Sequence, residues 1–224
     1  MKYGFLFSAV AGLLALVAFR DGGWSVLALW PSLSFGAVAA AYFKLGPGVF
    51  GKSTHGRLAI PNQLLLLPYL ACLWSVWHGM RFIKRESALD QLTESLFIGR
   101  RLLSHELPER IDHVIDLTCE FSEPEALRLK SYRSLQILDA YAPPVETLQQ
   151  WVSQITEISG NIYIHCAEGH GRTGLLAAAL LLSTGQAQSP AEAVRFIQTR
   201  RPLVQLNRHQ QATLDQFYSA RCCS

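Results

Sequence analysis

Two long runs without a charged side chain, one after the other at the start of the chain, constrain this sequence more than any other feature. Phe5 to Phe19 carries no charge and ends at Arg20-Asp21; Gly22 to Phe43 is a second uncharged run of 22 residues, closed by Lys44. An α-helix needs about 20 predominantly apolar residues to cross the hydrocarbon core of a bilayer. Residues 22–43 meet that length, and residues 3–19 approach it. Only Arg20, Asp21 and two glycines separate the runs, which predicts a tight helical hairpin. A cleaved signal peptide would account for the first run alone. Against it, no small-x-small site leads into a polar segment, and the next segment is again apolar. A third apolar stretch, 64–80, begins among Pro61, Asn62, Gln63 and Pro68 and ends with Trp74, Trp77 and His78 before Arg81, Lys84 and Arg85. Tryptophan followed by Lys/Arg reads as an interface anchor, so this stretch either lies in the interface or forms a third span.

Charge separates the chain into two parts. Residues 1–85 hold eight Lys/Arg against the single acid Asp21, whereas residues 86–224 hold twelve Lys/Arg against sixteen Asp/Glu. A basic apolar part joined to an acidic part predicts a membrane anchor over 1–85 and a soluble domain over 86–224, not a nucleic-acid binder. With two spans and an interfacial third segment, Lys2, Lys44, Lys52, Arg57, Arg81, Lys84 and Arg85 share one side, and only Arg20, offset by Asp21, lies on the other. Three spans would divide the basic residues four and four. The positive-inside tendency therefore favours two spans in a multi-pass membrane protein whose C-terminal domain is cytoplasmic. The near-absence of ionisable residues inside the runs argues against a transporter or channel, whose conduction path such residues usually mark. Five cysteines without paired spacing suggest neither a disulfide framework nor a zinc site. Gly46-Pro-Gly-Val-Phe-Gly51-Lys52-Ser53 satisfies the Walker A spacing. That motif needs a strand before it and a helix after it, and the expected reading here is a basic loop.

From Glu86 onward the pattern alternates between strands and helices. β-type runs fall at Leu96–Ile98, His113–Leu117, Leu135–Leu138 and Ile162–Ile164. Leu148, Trp151, Val152 and Ile155 follow the spacing of one apolar helix face. Ser189-Pro190-Ala191-Glu192 is a capping box, and Asn207 followed by Gln210 marks another helix start. The alternation predicts an α/β fold, a central sheet flanked by helices, preceded by the α-helical transmembrane hairpin.

The segment Asn161-Ile-Tyr-Ile-His-Cys166-Ala-Glu-Gly-His-Gly-Arg172-Thr-Gly174 reads as a buried strand, a glycine-containing loop and an Ala/Leu-rich helix. A loop between a strand end and a helix N-terminus presents backbone N–H groups and a positive dipole end to an anion. Gly169 and Gly171 permit the backbone angles that aim successive amides inward. Arg172 can add a two-pronged contact to a phosphate. The same field stabilises a thiolate at Cys166. One loop, Ala167, Glu168, Gly169, His170 and Gly171, thus lies between a nucleophile and the cation that binds the group it attacks.

His165-Cys166-x5-Arg172-Thr173 resembles the signature loop of the cysteine-based protein tyrosine phosphatases, and the length and flanks resemble their dual-specificity branch. Leu96-Phe97-Ile98-Gly99, the strand His113–Thr118, and Arg200-Arg-Pro202 followed by Asn207 extend the resemblance over roughly residues 90–220. It implies two-step chemistry through a phosphocysteine, with no cofactor or metal. Cys166 is the implied nucleophile, Arg172 the phosphate ligand, and an upstream aspartate the general acid. Asp139, in Ile137-Leu-Asp-Ala-Tyr-Ala-Pro-Pro144, is the best candidate for that acid and Asp116 the weaker one. Thr173 would hydrogen-bond the sulfur, and His165 would orient the loop. Glu168 and His170 would shape the pocket rim. Many lipid phosphatases of the superfamily carry lysines in the loop, and Ala167, Glu168 and His170 stand there instead, which argues against a highly phosphorylated inositide. Phosphoproteins and a lipid monophosphate both stay open as substrates, and so does a phosphate-binding module without turnover. Some relatives trap the oxidised nucleophile with a second cysteine; Cys119 would be that redox partner.

Overall fold

The computed structural model describes residues 2–84 and 86–222. It divides into two compact units, Met1–Glu86 with Cys119–Ser122, and Ser87–Thr118 with Glu123–Ser224. Arg85, counted above among the basic residues, lies outside the described residues.

In the first unit, α1 (Lys2–Asp21), a helical stretch Gly23–Phe50 containing α2 (Leu29–Ala40), and α3 (Ile60–Ile83) are each long and apolar enough to cross a membrane. The third apolar stretch is thus a helix of 24 residues, starting before the expected 64. Pro61 sits in its first turn, where a missing N–H costs nothing. The helix runs on through Pro68, and the neighbouring Tyr69 N–H donates to Ser34 Oγ at 3.2 Å. The turn between α1 and the second stretch uses Gly22 and Gly23, both with φ near +60°, a region open to glycine and strained for most other residues. Ser32 Oγ donates to the Ala11 carbonyl at 2.8 Å, so this polar side chain is satisfied between helices. Phe7 and Phe35 meet Tyr69 edge-on, with ring centroids 5.4 and 5.6 Å apart. Phe5, Leu13, Phe19, Leu33 and Val76 point outward, the reverse of a water-soluble bundle.

The Walker-like segment has the spacing without the fold. Gly46–Phe50 is a short 3₁₀ turn, and Lys52 pairs with Leu58 across a tight reversal. Residues Cys119–Ser122 belong to this unit. Trp74 Nε1 donates to the Glu120 carbonyl at 3.3 Å, the Leu58 N–H donates to Ser122 Oγ at 3.0 Å, and Phe121 packs on Trp77.

The second unit is built on a five-stranded sheet: β1 (Leu89–Gln91), β2 (Leu96–Arg100), β3 (His113–Asp116), β4 (Ser131–Ser134) and β5 (Ile162–Cys166), in the order β1-β2-β5-β3-β4. All pairs are parallel except β1 with β2. β5 is central and buried along its whole length, as a strand covered on both faces must be. The outer strand differs from expectation. It lies at Ser131–Ser134, not Leu135–Leu138. An edge strand bonds on one side only and needs no apolar pattern. The buried Ile137 and Leu138 follow it in extended chain that still bonds to the end of β3, Leu135 N–H to Asp116 O and Ile137 N–H to Leu117 O.

Helices α4 (Glu125–Arg128), α5 (Val145–Thr156), α6 (Gly171–Ser183), α7 (Pro190–Gln198) and α8 (Arg208–Cys222) complete the unit. Leu148, Val152 and Ile155 form the buried face of α5. Ser189 caps α7 by accepting from the Glu192 N–H at 3.2 Å. Asn207 caps α8, its Oδ1 accepting from the His209 and Gln210 N–H groups at 2.9 and 3.0 Å. Every residue of α6 from Arg172 to Leu182 is buried, which accounts for its Ala/Leu composition.

Candidate active site

β5 delivers Cys166 to the end of the central strand, and the chain then turns within four residues into α6. The turn packs hard against the end of β2: a Cβ on Gly169 would lie 2.3 Å from the Gly99 carbonyl, and Gly169 has φ +75°. Glycine is therefore required there by both space and backbone conformation. Gly99 has its own reason, since a Cβ would lie 2.2 Å from the Ala88 carbonyl.

Three of the loop carbonyls are held by named donors. Ala167 O accepts from the Arg101 N–H at 3.2 Å. Glu168 O accepts from Arg201 Nη2 and Gly169 O from Arg201 Nε, both at 2.9 Å. A trans peptide is planar, with its N–H opposite its C=O. The N–H groups of Glu168, Gly169 and His170 thus face the other way, and Gly169 N–H donates to Cys166 Sγ at 3.2 Å. Amides on the far side of these carbonyls, with the Gly169 N–H on the sulfur, are the makings of an anion nest. Arg201 is fully buried, and its Nη1 also binds Asp90 at 2.7 Å and Ser87 O at 2.9 Å. It braces the nest from behind.

Arg172, 1% exposed, donates from Nη1 to Ile137 O at 2.9 Å and Leu117 O at 3.5 Å, which fixes the plane of its guanidinium. Its Nη2 lies 3.2 Å from Asp139 Oδ1, and the Asp139 side chain is 65% exposed. The structure therefore sets Asp139 against Arg172, which lies in the first turn of α6 at the far end of the loop that Cys166 begins. Asp116 is elsewhere engaged: buried, it accepts from Thr118 N and Oγ1 at 2.8 and 2.7 Å and from the Tyr132 hydroxyl at 2.6 Å. Burial foremost, and then the Asp116 charge, push the Tyr132 phenol well up, so it stays a donor. Burial likewise raises Tyr163, whose hydroxyl donates to Arg100 O.

Thr173 is fully buried next to Arg172, and its hydroxyl has no hydrogen-bond partner among the described residues. His165 is also fully buried; its ring stacks on Tyr163 at 5.3 Å, and Nε2 lies 3.6 Å from Glu123 Oε1. Glu168 and His170 are half-buried at the rim of the loop. Asp116, Glu123 and His165 come within 4.8 Å of one another, the spacing of a metal site. Their charge is already met by protein, however: Asp116 by Thr118 and Tyr132, and Glu123 by Arg101 at 3.2 Å. Cys119 lies in the first unit, Cys166 in the second, and neither is in a disulfide. The Cys119 thiol faces its neighbour, Glu120 Oε2, at 3.4 Å.

Arg201, Asp90, Glu123 and Gln210 have structural roles at the site that local motifs do not assign. Arg201 belonged to the resemblance only as part of an Arg-Arg-Pro run, and nothing in that run separates it from the exposed Arg200.

The family model described as "Dual specificity phosphatase, catalytic domain" matches residues 105–220. Among solved structures, Tk-PTP in its active form is similar at 24% identity, covering 59% of this chain and 97% of that one, with a TM-score of 0.52. PTPMT1 in complex with PI(5)P is similar at 18% identity over 61% of this chain and 98% of that one, TM-score 0.53. Human tyrosine phosphatase-like serine/threonine/tyrosine-interacting protein is similar at 21% identity over 61% and 98%, TM-score 0.53. At these identities the likeness is one of fold. No curated protein sequence matches the chain.

Proposed function

Because the chain belongs to the dual specificity phosphatase family and is a cysteine-dependent phosphatase, we propose that it hydrolyses phosphate monoesters at a membrane through a phosphocysteine. The observation that carries this reading is the Gly169 N–H donating to Cys166 Sγ beside a buried Arg172. A donor nest of that kind suits the phosphoryl oxygens as charge develops on them. The Cys166 sulfur attacks phosphorus as the ester oxygen leaves, Asp139 gives that oxygen its proton, and water then releases phosphate from sulfur. An incoming phosphate competes for Arg172, which frees the Asp139 carboxyl to face the leaving group. The buried Thr173 hydroxyl is available to the sulfur as it departs, and His165 holds the strand end from which Cys166 projects.

Residues 1–85 serve as the membrane anchor and residues 86–224 as the catalytic domain, on the cytoplasmic side. The outward apolar faces of α1 and α3 support anchoring; with two spans and α3 held in the interface, the basic residues support the orientation. A C-terminal reporter enzyme should be active only in the cytoplasm; activity only outside it would reverse the orientation.

The substrate is a phosphoprotein or a lipid monophosphate. The ring-borne phosphate of PI(5)P, bound by PTPMT1, makes a lipid arm worth testing. Full-length protein in mixed micelles, offered a phosphotyrosine peptide and a lipid monophosphate, should release phosphate from at least one of them. Binding without release from either would make the protein a recruitment module. Asp139→Asn should lower kcat by about 10²–10⁴-fold on an alkyl phosphate, the usual range for a lost general acid, and far less on a nitrophenyl ester. Equal losses on both would give Asp139 a structural role.

A further inference from the structure

Just after Asp139 the backbone does something unusual. Ala140 has φ +57°, the one non-glycine residue with positive φ among those described. An L-residue persists in that region only when its surroundings over-determine it. The surroundings here come from the start of α8. Asn207 Nδ2 donates to the Ala140 carbonyl at 2.8 Å, and Gln210 Nε2 donates to the Tyr141 carbonyl at 3.1 Å. The Tyr141 ring stands edge-on to His209 at 5.2 Å. Gln210, 1% exposed, is itself fixed: its Oε1 accepts from the Asn207 N–H at 3.1 Å, and its amide fills the space a Cβ on Gly171 would need. The first turn of α8 thus grips both the loop that carries Asp139 and the first residue of α6, where the phosphate nest ends.

We infer that Asn207 is a positioning residue for proton donation: its side-chain amide, bonded to the Ala140 carbonyl, sets the reach of Asp139 over the phosphate nest. The inference rests on reading Asp139 as the proton donor. The two roles of Asn207 use different atoms. Oδ1 caps α8, and Nδ2 holds the loop. Asn207→Asp keeps a capping acceptor, which N-cap aspartate supplies as well as asparagine, but turns the donor to Ala140 into a charged oxygen that the carbonyl repels. Serine keeps the cap too, and lacks the reach and the amide.

The test compares an alkyl phosphate with a nitrophenyl phosphate on full-length wild type, Asn207→Asp, Asn207→Ser and Asp139→Asn in detergent, with a thermal melt of each. A misplaced proton donor costs on the order of 10–100-fold when its geometry loosens by about an ångström. Asn207→Ser should show that loss in kcat on the alkyl ester, with KM and the melt nearly unchanged, and Asn207→Asp at least as large a loss; the nitrophenyl ester should stay within about twofold in both, because its leaving group needs little protonation. If Asp139→Asn discriminates between the esters and the Asn207 variants do not, the inference fails while the role of Asp139 stands. If Asp139→Asn itself loses equally on both esters, the reading beneath it fails instead.

Discussion

Cys166→Ser abolishes turnover of every phosphate ester while phosphate-ester binding stays measurable by titration calorimetry. The sulfur is the only atom changed, and the nest that binds the oxygens, built from the backbone of residues 168–170 and from Arg172, is left in place. A serine hydroxyl in the same field is still far from ionised at neutral pH, so attack on phosphorus stops. Arg172→Lys is nearly as damaging for a different reason. Lysine cannot present the planar fork, and the Ile137 carbonyl loses its donor. Loss of one preorganised donor at a developing charge typically costs about 10²–10³-fold, and kcat should fall at least that far. Wild-type kcat in Cys166→Ser would sink the whole assignment.

The second large effect is expected where no substrate is touched. Arg201→Met keeps the bulk of the side chain and removes donors to Asp90, Ser87 O, Glu168 O and Gly169 O in one step. Breaking a buried ion pair by deleting one partner typically costs about 3–5 kcal/mol. Asp90 keeps 18% of its side chain exposed, which places the cost toward the lower end of that range. The loop carbonyls would then be free to turn inward, replacing donors in the nest by acceptors. Denaturant unfolding and inorganic-phosphate inhibition should both report it, with lower stability and weaker phosphate binding together. Arg200→Met, at the exposed neighbour, should change neither. A stability loss with unaltered phosphate affinity would mean that the loop holds its shape without Arg201.

The two cases differ in how visible they are in the sequence, for a physical reason. Cys166 and Arg172 are legible because the strand, the tight turn and the helix start that join them are local, and the spacing itself dictates the geometry. The central strand and the apolar face of α5 are legible on the same ground, since periodicity reports burial directly. Arg201 acts through backbone carbonyls more than thirty residues away, and a carbonyl leaves no signature of its own. The edge strand Ser131–Ser134 is hidden because one bonded side imposes no pattern, and the buried Ile137 and Leu138 just after it imitate one. The position of Asp139 against Arg172 does not depend on that slip, because the chain leaves the sheet at the same end either way. Glu123, which faces His165, gives no local sign, since the pairing joins residues in different elements.

The assignment of Cys119–Ser122 to the first unit bears on how the protein can be handled. The chain leaves the second unit after Thr118, spends four residues in the first, and returns at Glu123. No single cleavage therefore yields either unit whole. A fragment beginning at Ser87 would retain the excursion and lose Trp74, Trp77 and Leu58, the residues it packs and bonds with. Phe121, now 3% exposed, would lose the Trp77 ring it packs on and meet water. For enzymology the intact chain in a lipid-like medium is the natural preparation, and any truncated version calls for a polar replacement at Phe121.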